Sequence, residues 1–315
     1  MLKTRLLFFL TLFLFLYSNA QTWKKFRYEM LFGVGVTNFL GELGGANSEG
    51  SHFLKDLRLS MTRPMVDLGF RNQLGRHVSM KAMLAFGMLT GDDKSTNDIY
   101  RNYRNLSFRS PIVELSLQGE YWPLRERFKL GGYTPPSKIS RQAYGRKHFQ
   151  LKVNPYLFGG LGVFYFNPQA KYHGKWVNLQ PLGTEGEGLV PTRPKYKLVQ
   201  VSIPIGFGLK IPFFYRYLLG IEYGVRKTFT DYIDDVSTTY YDPALLAKAR
   251  GEEAAALSNR SDPNNPDAPN SQKANPKWTS PNMQRGNPKY KDSYMFMTVR
   301  LIYKIRQYRR NTHRF

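Results

Sequence analysis

The chain has 315 residues, a formal net charge of +23, 15% aromatic residues and no cysteine. Without cysteine, a small fold held by disulfides and a structural zinc site with cysteine ligands are both excluded. So large a positive charge would suggest a nucleic-acid partner in the cytoplasm. The N-terminus predicts export, however, which makes nucleic acid a poor candidate and favours anionic lipid or an acidic protein as the partner.

Residues 1–20 have the layout of a secretory signal peptide. Lys3 and Arg5 precede an apolar run at 6–16, and a small residue, Ala20, ends the segment. The run is shorter than the roughly 20 residues that a membrane-spanning helix needs. We therefore expect this segment to be removed, which leaves a mature charge of +21. An uncleaved membrane anchor is the alternative.

The stretch PIVELSLQGEYW, residues 111–122, alternates between two unlike sets of side chains. One set is apolar or aromatic and comprises Val113, Leu115, Leu117 and Tyr121. The other set is polar and comprises Glu114, Ser116, Gln118 and Glu120. A period of two indicates a β-strand whose two faces lie in different environments.

Eight segments share this period, and each is long enough to cross a bilayer as a tilted strand, which takes about ten residues. They are Tyr28–Phe39, Met65–Leu74, Val78–Thr90, Ser110–Trp122, Leu151–Phe166, Leu198–Ile211, Leu218–Thr230 and Ser293–Ile305. One face of each is apolar, with Met295 among its members in the last strand, and the other mixes charged residues with many glycines, such as Gly206 and Gly224. Glycine weakens an open strand, but the narrow interior of an eight-stranded barrel is filled by mixing small and large side chains.

The sequence therefore predicts an all-β fold: an eight-stranded antiparallel transmembrane β-barrel with long loops, built from residues 21–305. In its lumen we expect an ion network of Glu114, Glu120, Glu222, Arg226 and Arg300. A soluble sandwich of two sheets whose apolar faces meet is the alternative.

Charge is distributed unevenly between the two ends of the predicted barrel. Single-chain bacterial barrels have both termini in the periplasm, which puts a long turn at 123–150 and a basic tail at 306–315 on that side. The periplasmic segments carry a net charge of +16, whereas residues 230–291, nearly all of a long outer loop at 231–292, are neutral. We expect a dock for an acidic periplasmic protein; contact with lipid headgroups is the alternative. The candidate partner-binding residues are Arg125, Arg127, Lys129, Lys138, Arg141, Arg146, Lys147, Arg306, Arg309 and Arg310.

The sequence offers little that indicates catalysis. The run TDYIDDVSTTYYD supplies Asp231, Asp234, Asp235 and Asp242, and carboxylates this dense can bind calcium. Their spacing does not match an EF-hand loop, so a salt bridge at the barrel rim or the ordering of a loop is the alternative. The histidines lie in different loops without zinc-ligand spacing, and no serine or threonine has an evident partner base. We therefore expect no enzyme, no cofactor and no metal.

Residues 251–291 are rich in Pro, Asn, Ser and Ala. Such a composition does not pack a core, so we expect the segment to be mobile. A short helix is expected over 243–257.

Four segments together carry a resemblance to a known family. They are GELGG at 41–45, RNLSFRSPIVELSLQGEYW at 104–122, GIEYGVRKTFTDYIDDVSTTYYD at 220–242 and RGNPKYKDSYMFMTVRLIYK at 285–304. Over nearly the whole mature chain, the sequence resembles the PorG-like outer-membrane β-barrels of Bacteroidota.

This resemblance implies a non-enzymatic component of the type IX secretion system, a system associated with gliding motility, in the outer membrane of a Gram-negative bacterium. It also implies two partners, a PorK-like lipoprotein and a PorN-like ring protein, and it brings no catalytic residues. A small barrel that serves as a passive pore or structural protein, and a lipid-A-modifying enzyme, are the alternatives.

Overall fold

The computed structural model describes residues 27–43, 61–96, 98–124, 153–214, 216–261 and 275–305. Within these residues the chain forms ten strands. They are β1 (Tyr28–Leu40), β2 (Arg63–Gln73), β3 (Val78–Asp92), β4 (Ser107–Tyr121), β5 (Asn154–Phe166), β6 (Gln169–Tyr172), β7 (Lys175–Asn178), β8 (Val199–Phe214), β9 (Tyr217–Thr228) and β10 (Ser293–Ile305).

Eight of these described strands close into a barrel. Their order is β3-β2-β1-β10-β9-β8-β5-β4, and β4 pairs back with β3. Every pairing is antiparallel, and the first and last strands meet with Tyr28 opposite Ile305. The predicted eight-stranded antiparallel barrel is confirmed, and the sandwich alternative is wrong because the eight described strands form one closed sheet.

The barrel places apolar side chains outside and charged side chains inside. On the exterior, Val34 and Leu161 are each 65% exposed, whereas the inward-facing Lys81 and Glu114 are 0% and 1% exposed. A soluble protein does the reverse, since lysine and glutamate are almost never fully buried unless they are paired. The alternation seen in the sequence therefore separates an apolar exterior from a polar lumen.

Glycines make room for large side chains in this lumen. Gly206 and Gly224 lie directly opposite each other on β8 and β9, and the ring of Phe158 from β5 covers both. A Cβ atom added at either glycine would lie 2.6 Å from Cζ of that ring, which is well below a normal carbon–carbon contact. The two glycines and the ring of Phe158 therefore fit together sterically, in agreement with the predicted mixing of small and large residues.

Beyond one end of the barrel, connecting segments pack together. We call the described residues of 93–106, 167–198 and 229–292 the cap. It contains a β6–β7 hairpin and the helices α1 (Ile99–Arg104), α2 (Leu179–Leu182), α3 (Pro243–Arg250) and α4 (Glu252–Ser258), with 3-10 turns at Asp93–Ser95 and Pro276–Thr279. In the described part of the chain, no helix is long and apolar enough to cross a membrane.

Three expectations are corrected, two in the cap and one in β10 beside it. The single helix expected over 243–257 is two helices, because Gly251 between them has a φ of 91°. The mobility expected for 251–291 is wrong for its described part, where Leu257 and Arg285 are buried. Apolar Met295 was assigned to the exterior but is buried. The composition of residues 251–291 did not predict that they pack, because Arg285 is polar and its burial depends on partners elsewhere in the cap.

We expect the substitution Gly224→Leu to destabilise the barrel, because its side chain and the ring of Phe158 would occupy the same space. Overpacking of this kind costs about 1–3 kcal/mol. The measurement is the urea midpoint of unfolding after refolding in detergent micelles. Val225→Leu adds one methylene at the next position, which faces the exterior, and should leave the midpoint unchanged. Equal midpoints for Gly224→Leu and the parent would contradict the steric fit.

Candidate functional site

An ion network runs across the lumen at the barrel end opposite the cap. Inward positions on four strands bring together Glu29, Arg71, Glu120 and Lys210. The guanidinium of Arg71 joins two carboxylates, with Nη1 2.8 Å from Glu29 Oε2 and Nε 2.7 Å from Glu120 Oε2. The ammonium of Lys210 pairs with the other oxygen of Glu29. These groups are buried, so each charge depends on its partners rather than on water.

The carboxylate of Glu222 lies at the middle of the lumen. Its Oε2 atom pairs with both Lys81 and Arg300 and accepts a hydrogen bond of 2.8 Å from the hydroxyl of Tyr156. Arg300 also pairs with Asp67, with Nη2 2.8 Å from Oδ2. One carboxylate thus connects strands β3, β5, β9 and β10.

Near the cap, Glu114 and Arg226 form a third group. The Nε atom of Arg226 lies 3.4 Å from Glu114 Oε2, which also accepts a 2.7 Å hydrogen bond from the hydroxyl of Tyr294. The guanidinium of Arg226 lies over the ring of Phe296, 4.1 Å from its centroid. Aromatic side chains therefore fill the lumen between the ion pairs.

The structure brings together only part of the predicted network. Glu222 pairs with Arg300, and Glu114 with Arg226, but Glu120 pairs with Arg71 and Lys81 instead of either predicted arginine. Sequence reasoning left six charged lumenal residues out of the network: Glu29, Asp67, Arg71, Lys81, Lys210 and Lys304. All lie on the inward, alternate positions of their strands, and that register was the signal that could have found them.

A second buried network holds the cap together. Arg285 pairs with Glu185 at 3.0 Å, and the carboxylate of Glu185 accepts backbone hydrogen bonds from Ser237 and Thr238. The guanidinium of Arg104 lies 2.8 Å from Asp93. Arg104 also donates a hydrogen bond of 2.6 Å to the backbone carbonyl of Arg285, so these bonds join α1, the segment after α2 and the residues before β10. They act together with an apolar cluster that includes Leu106, Ile233 and Val236.

The acidic run lies inside this cap. The carboxylate of Asp235 accepts hydrogen bonds of 2.6 Å from the hydroxyls of Tyr196 and Thr184. Asp242 instead caps the N-terminus of α3, where its side chain accepts from the backbone of Ala244 and Leu245. Loop ordering therefore accounts for both residues. Within the described residues, no set of three or more histidine or acidic side chains is arranged to hold a metal ion.

Four carboxylates lie near one another without a salt bridge among the described residues: the buried Asp231, Asp234 and Asp292, and the partly buried Glu42. Burial raises the pKa of Asp231 to about 8 and that of Glu42 to about 7. Burial, with the neighbouring carboxylates adding to it, also raises the pKa values of Asp234 and Asp292. This part of the cap therefore favours protonated carboxyl groups.

The predicted partner-binding residues lie outside the described part of the chain. They are Arg125, Arg127, Lys129, Lys138, Arg141, Arg146, Lys147, Arg306, Arg309 and Arg310. The predicted signal peptide, residues 1–20, also lies outside it.

No protein-family model and no curated protein matches the chain. Several solved structures are similar to it at low identity. The attachment invasion locus protein Ail of Yersinia pestis is 8% identical, with 88% of this chain and 98% of Ail covered and a TM-score of 0.33. Neisserial surface protein A is 7% identical, with 88% and 96% covered and a TM-score of 0.38. OprG from Pseudomonas aeruginosa is 7% identical, with 90% and 98% covered and a TM-score of 0.37. Similarity this distant carries no argument about function.

We expect Glu222→Gln to destabilise the barrel strongly, because it removes the charge that two buried cations share. Breaking a buried ion pair by removing one partner costs about 3–5 kcal/mol. The measurement is again the urea midpoint of unfolding. Glu252→Gln, at an exposed position on α4, is the matched control and should leave the midpoint unchanged. A Glu222→Gln barrel as stable as the control would show that the lumenal network does not support the fold.

We expect the cap to loosen as the pH rises. A carboxyl group whose folded pKa is raised stabilises the fold fully below its unfolded pKa, near 4, and this contribution is lost as the pH rises through the folded value. For Asp231, with a folded pKa of about 8, protection should fall between about pH 4 and pH 8. Hydrogen exchange of residues 229–240, corrected for the intrinsic rate, measures this. Asp231→Asn should make the decline shallower, and an unchanged slope would contradict the assignment.

Proposed function

We propose that this chain is a membrane-spanning barrel of the bacterial outer membrane and a non-enzymatic component of the type IX secretion system. In this role it anchors a periplasmic assembly of a PorK-like lipoprotein and a PorN-like ring protein. The observation that carries the membrane placement is the inverted polarity of the barrel, with exposed apolar side chains outside and paired charges inside.

The closed sheet meets the main requirement of a hydrocarbon environment. Each barrel strand pairs with two neighbours, so no edge leaves backbone groups unpaired in lipid. Exposed tyrosines, Tyr121 and Tyr217, lie at the strand ends opposite the cap, where aromatic rings favour the membrane–water interface. A soluble role would leave the broad apolar exterior without a partner.

The connectivity supports an orientation with the cap outside the cell. Tyr28 and Ile305 are paired at the end opposite the cap, so both ends of the barrel chain lie on one side. In single-chain bacterial barrels that side is the periplasm. Strand β4 ends there and β5 begins there, so the basic segment between them also starts and finishes on the periplasmic side.

The filled lumen and the charge asymmetry support docking over transport. Paired charges and stacked rings, such as Trp122 on Tyr156 at 4.3 Å between centroids, occupy the described lumen. A passive pore needs a continuous open path, and an enzyme needs a nucleophile beside a base, and nothing in the described lumen favours either. The net charge of +16 in the periplasmic segments favours an acidic partner, and the PorG-like resemblance supplies the identity of that partner.

In-cell lysine crosslinking with mass spectrometry tests this proposal. We expect Lys129 and Lys138 to crosslink to the PorK-like or PorN-like protein. A variant with Arg125, Arg127, Arg146 and Lys147 all changed to glutamate should lose most of these crosslinks, because four like charges would then oppose the acidic partner.

The matched control reverses four charges on the cap instead, at Lys248, Lys277, Lys289 and Lys291, and should keep the crosslinks. Wild-type crosslinking in the periplasmic variant would contradict the dock. Labelling of Lys129 by a membrane-impermeant reagent in intact cells would contradict the orientation.

A further inference from the structure

An exposed tryptophan and two cations meet where β4 pairs with the β6–β7 hairpin. We call Arg109, Lys171 and Trp176 the Trp176 patch. The guanidinium of Arg109 lies 3.8 Å from the centroid of the Trp176 ring, and the ammonium of Lys171 lies 5.3 Å from it. The pairing of Arg109 with Gln169 and of Lys171 with Trp176 in the strand register holds these side chains together.

The cations of this patch have no anionic partner among the described residues. Arg109 donates to the neutral side chain of Gln169 at 3.0 Å, and Lys171 forms no salt bridge there. Lys171 is exposed, and Trp176 is 40% exposed. The lumenal cations differ sharply, since Arg71, Lys81 and Arg300 each have one or more carboxylates. The patch therefore offers unused positive charge beside a partly open aromatic face.

The patch borders the apolar exterior on its cap side. Arg109 shares the outward face of β4 with Leu115, which is 62% exposed, and the six residue steps from one to the other span about 20 Å. Tyr165 at the end of β5 and Val199 at the start of β8 are also exposed next to the hairpin. In a barrel oriented with its cap outward, this is the depth of the headgroups of the outer leaflet.

We propose that the Trp176 patch binds the phosphorylated sugar headgroup of an outer-leaflet glycolipid. Arginine and lysine pair with phosphate oxygens through charge-assisted hydrogen bonds. The amphipathic ring of Trp176 suits the membrane interface and offers a flat surface for the C–H face of a sugar. Cations alone would fit any anionic lipid, and the ring selects a sugar. This inference depends on the proposed membrane placement, with the cap outward.

Native mass spectrometry of the barrel in bilayer nanodiscs tests the proposal, with phosphorylated lipid A and its enzymatically dephosphorylated form as the probes. We expect the parent to retain the phosphorylated form at least about tenfold better, given the contribution of each basic residue near a charged headgroup. Arg109→Gln with Lys171→Gln should remove most of this preference. Trp176→Ala should weaken retention of phosphorylated lipid A but not that of phosphatidylglycerol.

The control variant, Lys248→Gln with Lys277→Gln, removes the same charge from other parts of the cap and should bind as the parent does. Equal retention of both forms of lipid A by an inserted parent barrel would overturn this inference alone. Equal retention of phosphatidylglycerol and lipid A would overturn the sugar selectivity. A barrel that folds in detergent but does not enter nanodiscs would overturn the membrane placement and this inference together.

Discussion

The burial of ion pairs in a narrow lumen is the constraint on which the rest of the structure depends. An eight-stranded barrel leaves space for side chains but little for water, so a charge such as that of Glu222 must find its partners among the other lumenal side chains. Arg300 reaches it from the neighbouring strand β10, and Lys81 reaches it from β3, which is not a neighbour of β9. Their length in turn requires small residues nearby: a Cβ atom added at Gly33 would lie 2.9 Å from Cγ of Arg300. The positions of the glycines therefore depend on the positions of the paired charged side chains.

Buried charge also constrains the cap, but there some of the buried carboxyl groups are neutralised by protonation instead of by cations. In the lumen, the cations of Arg71 and Lys81 compensate the carboxylate of Glu120. In the cap, Asp231 and Asp234 are buried without a salt bridge in the described residues, and burial raises their pKa values. The lumen is thus stabilised by charged groups, and part of the cap by neutral ones. Changes in pH should act first on the cap, where protonation compensates for the missing cations.

The sequence was sufficient for the barrel because a closed sheet obeys a local rule. Period-two alternation and glycine on one face gave the strands, and β10 matches its predicted bounds, Ser293–Ile305. The ion pairs within the lumen could not be predicted, because the pairing of Arg71 with Glu29 depends on strand register and tilt, which the alternation of side chains does not specify. The packing of the cap could not be predicted for a different reason. Arg285 buries its charge through long-range bonds to Glu185 and Asp235, but the composition of this segment is that of a polar loop.

Because side chains fill the described lumen, we expect the function of the barrel to depend on its surfaces. If no solute passes through, the barrel can act only by what it holds at its two ends and along its sides. The two ends differ in charge: the predicted periplasmic segments are strongly basic, and residues 230–291 are neutral. On the cap side, the basic side chains of Arg109 and Lys171 lie beside Trp176, next to the apolar exterior. In the proposed role, lipid contact on one side and protein contact on the other would together fix the depth and orientation of the barrel.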